Sequence, residues 1–163
     1  ITRVSGLACA VMTADCLPLL LCDRYGQQVA AVHAGWRGLA AGVVEVAVAQ
    51  FDAIADDIRV WMGPAIGPSF FEVGEDVRQT FMDTASATEK RNIALAFIEH
   101  GSKKNHFFAD LYQIARIRLE AISVTKVYGG EFCTYADASR FYSYRRDGVT
   151  GRMVTMIYKK KSL

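Results

Sequence analysis

The stretch QVAAVHAGWRG at residues 28–38 predicts a short buried strand, a glycine turn and the start of a helix. The first six positions are mostly apolar, as in a strand inside a sheet. Beyond the turn, residues recur at the spacing of one helix face, at Leu39, Val43, Val46, Ala47 and Gln50. A strand that turns directly into a helix predicts a mixed α/β fold.

Further elements surround this unit. Apolar runs predict strands at residues 6–14, 16–22, 58–62, 70–73 and 126–128. An amphipathic helix is predicted at residues 75–82, and Asp110 with Gln113 resembles the capping box that opens a helix. Residues 83–104 are polar and biased towards helix, without a clear start. The last predicted element is a hairpin of residues 141–145 and 153–159 around Asp147 and Gly148.

Composition predicts one domain, over residues 1–163, with enough apolar surface for a core because 52% of residues are hydrophobic. The 19 basic and 17 acidic residues nearly cancel, which argues against a nucleic-acid partner. The longest apolar run is far shorter than the roughly 20 residues that cross a bilayer, so no membrane partner is expected.

The chain shows no signal-peptide pattern, so we expect a cytoplasmic protein. Its four cysteines are read as reduced thiols. Because the chain begins with Ile1, close to a hydrophobic segment, we expect that a natural N-terminal portion is absent. The oligomeric state is not predicted.

Cys16 and His33 are the strongest candidates for chemistry. Each lies at the end of a predicted strand, and the second strand can return beside the first. A thiolate and an imidazole together suit zinc, whose catalytic sites keep three protein ligands and one open position. Without metal, the same pair would be a nucleophile and its base. A buried cysteine is more often inert and a lone histidine more often structural, so only the pairing favours function.

Two further groups could bind a polar ligand. Gly35 and Gly38 precede or open a helix whose backbone N–H groups could hold an anion, and Arg37 adds a planar fork for phosphate or carboxylate. The alternative is a purely structural turn with Arg37 in an ion pair. Tyr144 and Arg145 belong to the cluster YSYRRD at residues 142–147, which either lines a site or faces solvent.

Five motifs together resemble a known family, the YfiH-like proteins, also called the laccase-domain or polyphenol oxidoreductase family and, in some members, peptidoglycan-editing factors. The motifs are TADCLP at 13–18, VHAGWRG at 32–38, GPAIG at 63–67, DL at 110–111 and YSYRRD at 142–147. They span almost the whole chain in the family's order. The resemblance implies an α/β/β/α sandwich with mixed sheets, similar to a toxin deamidase that uses a Cys–His pair.

The resemblance also implies one zinc ion bound by Cys16 and His33, with a third histidine ligand upstream of residue 1. The implied activity is phosphorolysis of adenosine, inosine and methylthioadenosine together with deamination of adenosine, which makes the protein a transferase and a hydrolase. Purine nucleosides and phosphate are then its small-molecule partners. In this interpretation zinc activates water or polarises the substrate, and Arg37 positions phosphate.

Three other functions fit this sequence less well. Multicopper laccase chemistry is rejected because several copper ions need many histidine ligands and the chain has three histidines. The principal alternative is a cytosolic amidase that edits peptidoglycan precursors, with Cys16 as ligand or nucleophile. The remaining alternative is a binding module without catalysis.

Overall fold

The computed structural model describes residues 1–100 and 103–160, and the chain forms three sheets there. The strands are β1 (Ala8–Thr13), β2 (Leu17–Asp23), β3 (Val29–Ala34), β4 (Ile58–Met62), β5 (Glu72–Gly74), β6 (Phe97–Glu99), β7 (His106–Ala109), β8 (Lys126–Gly129) and β9 (Met153–Tyr158). The α-helices are α1 (Trp36–Ala40), α2 (Val43–Ala49), α3 (Glu75–Thr84), α4 (Lys90–Leu95), α5 (Leu111–Ala121) and α6 (Tyr144–Asp147), and residues Ala55–Asp57 form a 3₁₀ turn.

The central sheet has the strand order β3-β2-β4-β8, with only β4 and β8 parallel. Its register places alternate residues of neighbouring strands on one buried face, where Leu19 lies between Val32 and Met62. This face and the helices share one apolar core, which includes Leu39 of α1, Val44 of α2 and Ile114 of α5.

The opposite face of the central sheet carries Pro18, Leu20 and Cys22 on β2, paired with His33, Ala31 and Val29 on β3. The two-stranded antiparallel sheet of β1 and β9 contacts β2 and β3. A third sheet has the strand order β5-β7-β6. The mixed α/β class with several sheets is therefore confirmed.

The predicted helix after the glycine turn is two helices. Gly42 lies between α1 and α2 with a φ of +81°, a left-handed conformation that glycine adopts without steric cost. The apolar spacing from Leu39 to Ala47 is thus shared between two short helices that both pack on β3. Residues 83–104, apart from 101 and 102, which lie outside the described residues, contain α4 and β6 rather than one helix.

The predicted C-terminal hairpin is wrong. The Ser143 hydroxyl accepts a hydrogen bond from the backbone N–H of Arg146 and starts the short helix α6. β9 pairs instead with β1 at the other end of the chain. By contrast, the helix predicted after Asp110 is confirmed, since its carboxylate accepts a hydrogen bond from the backbone N–H of Gln113 at 3.0 Å.

Tyr112 on α5 joins three loops through its buried hydroxyl. The hydroxyl accepts a hydrogen bond from the backbone N–H of Ala65 and lies at hydrogen-bond distance from the carbonyls of Gly63 and Phe132. Burial is the main cause that raises the pKa of Tyr112 to about 12, against roughly 10 in an unfolded chain. The fold therefore favours the neutral phenol.

Replacing Tyr112 by phenylalanine is expected to lower the free energy of unfolding by about 1–3 kcal/mol at neutral pH, because the amide of Ala65 loses its acceptor. The stabilisation that comes from the raised pKa is fully present below pH ~10 and lost as the pH rises towards 12. Urea unfolding at several pH values measures both effects. Tyr25→Phe, at an exposed turn, is the control, and equal stability of the two variants would contradict the prediction.

Candidate active site

Cys16 and His33 lie on the same face of the central sheet. Leu17 pairs with Ala34 and Pro18 pairs with His33, so strand alternation places Cys16 opposite Gly35 and diagonal to His33. Cys16 is half-buried and His33 is exposed. Both line a cavity of about 420 Å³.

Gly35 makes room for this pair. A Cβ atom at this position would lie 3.0 Å from Sγ of Cys16 and 3.7 Å from Cδ2 of His33. Because real Cβ atoms rarely approach other atoms so closely, the absence of a side chain keeps the space between the thiol and the imidazole open. Gly38 has another environment, since a Cβ there would meet Val43 and the carbonyl of His33.

Gly35→Ala is expected to displace the Cys16 side chain and to weaken any metal bound by Cys16 and His33 by about tenfold or more, the range seen when a ligand loses its orienting contacts. The absorption of a cobalt–thiolate complex reports on this coordination during a titration. Gly38→Ala is the matched control, because it adds the same methyl group away from Cys16. Unchanged cobalt binding in the Gly35 variant would contradict the prediction.

Asp15 holds the loop beside Cys16 in place. Its carboxylate is buried and accepts hydrogen bonds from the Thr134 hydroxyl at 2.6 Å and from the backbone N–H of Arg145 at 2.7 Å. Its φ of +92° is unusual for a residue with a side chain. Asp15 thus connects the end of β1, the segment around Thr134 and the start of α6.

The cluster at 142–147 divides into site residues and structural ones. Tyr144 and Arg145 line the cavity. The guanidinium of Arg145 donates to the carbonyl of Glu72 and lies over the ring of Phe71. Arg146 instead donates to three backbone carbonyls and pairs with Asp147, which fixes the segment.

Three guanidiniums surround the cavity, those of Arg37, Arg145 and Arg152. Arg37 is exposed and stacks on the Trp36 ring at 4.5 Å, and Arg152 lies 6.0 Å from the centre of the Tyr144 ring. Within residues 1–100 and 103–160, none of the three forms an ion pair with a carboxylate. Asp15 is the one acidic residue among the described residues that line the cavity. The wall therefore carries a net positive charge, which favours an anion.

The surroundings of Cys16 act on its thiol in opposite directions. Burial is the largest effect and raises the pKa of Cys16, and the neighbouring Asp15 carboxylate raises it further, whereas Arg152 and Arg37 lower it. The net shift is upward, so the free side chain is a neutral thiol at physiological pH. A bound metal ion would displace the proton and hold the thiolate.

Sequence reasoning missed several residues of this site. The cavity is also lined by Met12, Thr13, Ile66, Phe71 and Arg152. Thr134 contributes indirectly, because its hydroxyl donates a hydrogen bond to the Asp15 carboxylate. Only Thr13 and Ile66 lay within recognised motifs. Arg152 follows a glycine and gave no local signal. All four cysteines are free thiols, as predicted.

The donor chemistry of Cys16 and His33 fits two ligands of a zinc site. Among the residues that the structure describes, no group of three or more histidine, cysteine, aspartate or glutamate side chains is placed to bind a metal. The resemblance implies a third ligand upstream of residue 1, which nothing in this structure tests, so zinc stays a prediction. No helix among the described residues is long and apolar enough to cross a membrane.

The fold and this site define a mixed α/β protein with a cysteine–histidine pair in a cationic cavity. Residues 1–160 match the model of the multi-copper polyphenol oxidoreductase laccase family, and the chain belongs to this family, which includes the YfiH-like proteins. The resemblance stated from the sequence motifs is thereby confirmed.

Three similar proteins place the chain within the family. The purine nucleoside phosphorylase YfiH of Escherichia coli K12 is 52% identical over 157 residues, which cover 96% of this chain and 61% of that protein. The adenosine deaminase RL5 of an unknown prokaryote is 33% identical, over 98% of this chain and 61% of that protein. The crystal structure of Neisseria meningitidis protein NMB0706 has a TM-score of 0.89 and 46% identity, and the match covers 98% of this chain and 63% of that one. The chain thus spans about three fifths of the relatives that it matches.

Proposed function

We propose that this site cleaves purine nucleosides with phosphate and deaminates adenosine. The observation that carries the proposal is that Cys16 and His33 share one cavity of about 420 Å³ with three arginines, none of which forms an ion pair with a carboxylate among the described residues. Relatives named purine nucleoside phosphorylase and adenosine deaminase support the substrate class. Adenosine, inosine and methylthioadenosine are the proposed substrates.

Phosphorolysis needs a site for an anion beside the sugar. Arg37 is exposed at the cavity wall, and its planar fork matches two phosphate oxygens. Arg145 and Arg152 add positive charge to the same wall, which favours an anionic ligand over a neutral one. Phosphate would form a bond to C1′ while the bond from C1′ to the base breaks, and the base leaves with a proton.

Cys16 and His33 would hold the zinc ion in this proposal. Zinc would act as a Lewis acid and lower the pKa of a water molecule towards 7, the chemistry that deamination at purine C6 requires. The polypeptide positions the two ligand side chains and the wall of the cavity. Gly35 keeps the space between the two side chains open, and Asp15 fixes the wall that carries Arg145.

The test is to incubate the purified, zinc-loaded protein with adenosine, with and without phosphate. Adenine and ribose 1-phosphate should form only with phosphate, and inosine should form in both samples. If neither product forms with zinc bound, the proposal fails. Serine release from a muramyl precursor in the same assay would favour the amidase instead.

Arg37→Ala is expected to raise the KM for phosphate about 10- to 100-fold, because a hydrogen bond to a charged group contributes about 1.5–3 kcal/mol. The deamination rate should change little, since water replaces phosphate in that reaction. Arg24→Ala, which removes an exposed arginine outside the cavity, is the control. An equal loss of both activities would show that Arg37 does not act on phosphate.

A further inference from the structure

Arg145 differs from the other two arginines of the active-site cavity in what holds its guanidinium. Its Nη1 atom donates a hydrogen bond to the carbonyl of Glu72 at 2.8 Å, across 73 positions of the chain. The guanidinium of Arg152 donates to carbonyls that are only one and two positions away, and that of Arg37 stacks on the adjacent ring of Trp36. Arg145 is therefore held by a part of the chain that is remote in sequence.

The carbonyl that receives Arg145 lies at the outer edge of the third sheet. The carbonyl of Phe71 accepts a hydrogen bond from the backbone N–H of Ala109 at 3.0 Å, which directs it towards β7. Successive carbonyls of a strand point to opposite sides, so the carbonyl of Glu72 points away from β7. No strand within the described parts of the chain pairs with this side of β5. Arg145 thus supplies the donor that this edge lacks.

The ring of Phe71 supports the guanidinium from below. The guanidinium carbon of Arg145 lies 5.4 Å from the centre of this ring, and Phe71 is buried, so the ring is a fixed surface. Arginine stacks well on an aromatic ring because its guanidinium is planar and delocalised. The ring contact and the hydrogen bond to Glu72 together restrict the rotation of the side chain. A side chain that is already ordered loses less conformational entropy when it binds a ligand.

The hydrogen bond to Glu72 leaves a pair of donors on Arg145 free. A guanidinium carries five N–H groups, and Glu72 engages only Nη1. Within residues 1–100 and 103–160, neither Nε nor Nη2 of Arg145 meets an acceptor. These two nitrogens form a planar fork that matches two oxygens of one phosphate. Since Arg145 lines the active-site cavity, the fork is available to a phosphate there.

The strand that carries Glu72 is itself held through the Glu72 side chain. Its carboxylate lies 2.7 Å from Nζ of Lys103 and 2.8 Å from Nδ1 of His106. The hydrogen bond from Lys103 is the largest effect on the pKa of Glu72 and lowers it, so the carboxylate is charged at neutral pH. Because β5 is only three residues long, these contacts add to the few bonds that hold it in the sheet.

We propose that Arg145 is a pre-oriented fork for phosphate and that Glu72 is its positioning residue. This inference rests on the proposed function, in which phosphate is the second substrate. Nε and Nη2 of Arg145 bind two phosphate oxygens, while the carbonyl of Glu72 and the ring of Phe71 fix the direction of the fork. The third sheet is thereby part of the phosphate site.

Calorimetry with inorganic phosphate, in the absence of nucleoside, tests the fork directly. Arg145→Lys keeps the charge but removes the fork, and it is expected to weaken phosphate binding by about tenfold or more. Arg24→Lys makes the same exchange at an exposed arginine outside the cavity and should leave binding unchanged. Equal affinity of Arg145→Lys and the unaltered chain would overturn the proposal, as would absence of phosphate binding by the unaltered chain.

The positioning role of Glu72 is tested by a separate set of variants. Glu72→Ala should weaken phosphate binding by about threefold, because exposed ion pairs are individually weak. Glu72→Gln should recover most of this loss, since its amide oxygen still accepts from Lys103. Lys104→Ala is the matched control, because this exposed lysine is adjacent to Lys103 in the sequence.

Two readouts separate positioning from a general loss of structure. The side-chain NMR signals of Arg145 in isotope-labelled protein should show a less ordered guanidinium in Glu72→Ala. In the enzyme assay the KM for phosphate should rise in this variant, while kcat and the rate of deamination stay unchanged. If Glu72→Ala alters neither the Arg145 signals nor the phosphate affinity, Glu72 does not position the fork.

The fork and the proposed function can fail separately. Phosphate binding that depends on Arg145, in a chain that cleaves no nucleoside, would support the fork and refute the proposed function. Nucleoside cleavage with an unchanged KM for phosphate in Arg145→Lys would refute the fork alone.

Discussion

Replacement of Cys16 by alanine is expected to lower phosphorolysis and deamination together by more than about 100-fold. Cys16 faces the cavity beside His33, and its thiol is the only thiol among the described residues that line this cavity. Loss of groups that merely orient a metal ligand already costs roughly 10- to 100-fold in affinity or activity, so loss of the ligand itself should cost more. Zinc content by mass spectrometry and both product assays measure the effect.

Cys22→Ala is the control for this experiment. Cys22 lies on the same strand, β2, and is also half-buried, but it does not line the active-site cavity. This variant should keep its zinc and its activity. Should Cys16→Ala retain both as well, the cysteine would be a packing residue and the zinc assignment would fail.

His33→Ala should resemble Cys16→Ala if both bind one metal ion. A nucleophile–base pair without metal would behave differently, because activity would then fall in both variants while zinc content stayed unchanged. The upward shift in the pKa of Cys16, caused mainly by burial, disfavours a free thiolate nucleophile at neutral pH. Metal content therefore separates the two readings of the pair.

The local pattern of the chain accounts for the pairing of Cys16 with His33. β2 and β3 are consecutive, and their apolar residues fix which face each side chain takes. Once these strands pair, Gly35 must lie opposite Cys16. The motif that suggested the site therefore also encodes its geometry.

Contacts between distant segments could not be predicted in this way. Asp15 accepts hydrogen bonds from Thr134, which lies 119 positions along the chain, and from Arg145, which lies 130 positions along it. The alternation at residues 153–158 correctly indicated a strand, but short-range reasoning paired it with its nearest neighbour rather than with β1. Strand pairing is decided by which apolar faces meet in the folded chain, and short-range patterns in the sequence do not show which distant faces these are.

Asp15→Ala is expected to destabilise the protein by about 3 kcal/mol or more and to raise the KM for phosphate. Two hydrogen bonds to a charged group are lost, each worth about 1.5–3 kcal/mol, and the Thr134 hydroxyl is fully buried. Alanine must also adopt the φ of +92°. For a chain of this size, the expected fall in Tm is roughly 10 °C.

Asp15→Asn separates geometry from charge. Asparagine tolerates positive φ, its carbonyl can accept from the N–H of Arg145, and its amide can donate to the Thr134 hydroxyl, which also accepts. If Asp15 acts by holding Arg145 at the cavity wall, the asparagine variant should recover most of the Tm and of the phosphate KM. If the negative charge itself is required, asparagine will be as damaging as alanine. Thr134→Val, which removes only one of the two contacts, should fall between wild type and Asp15→Ala in Tm while leaving the hydrogen bond to Arg145 intact.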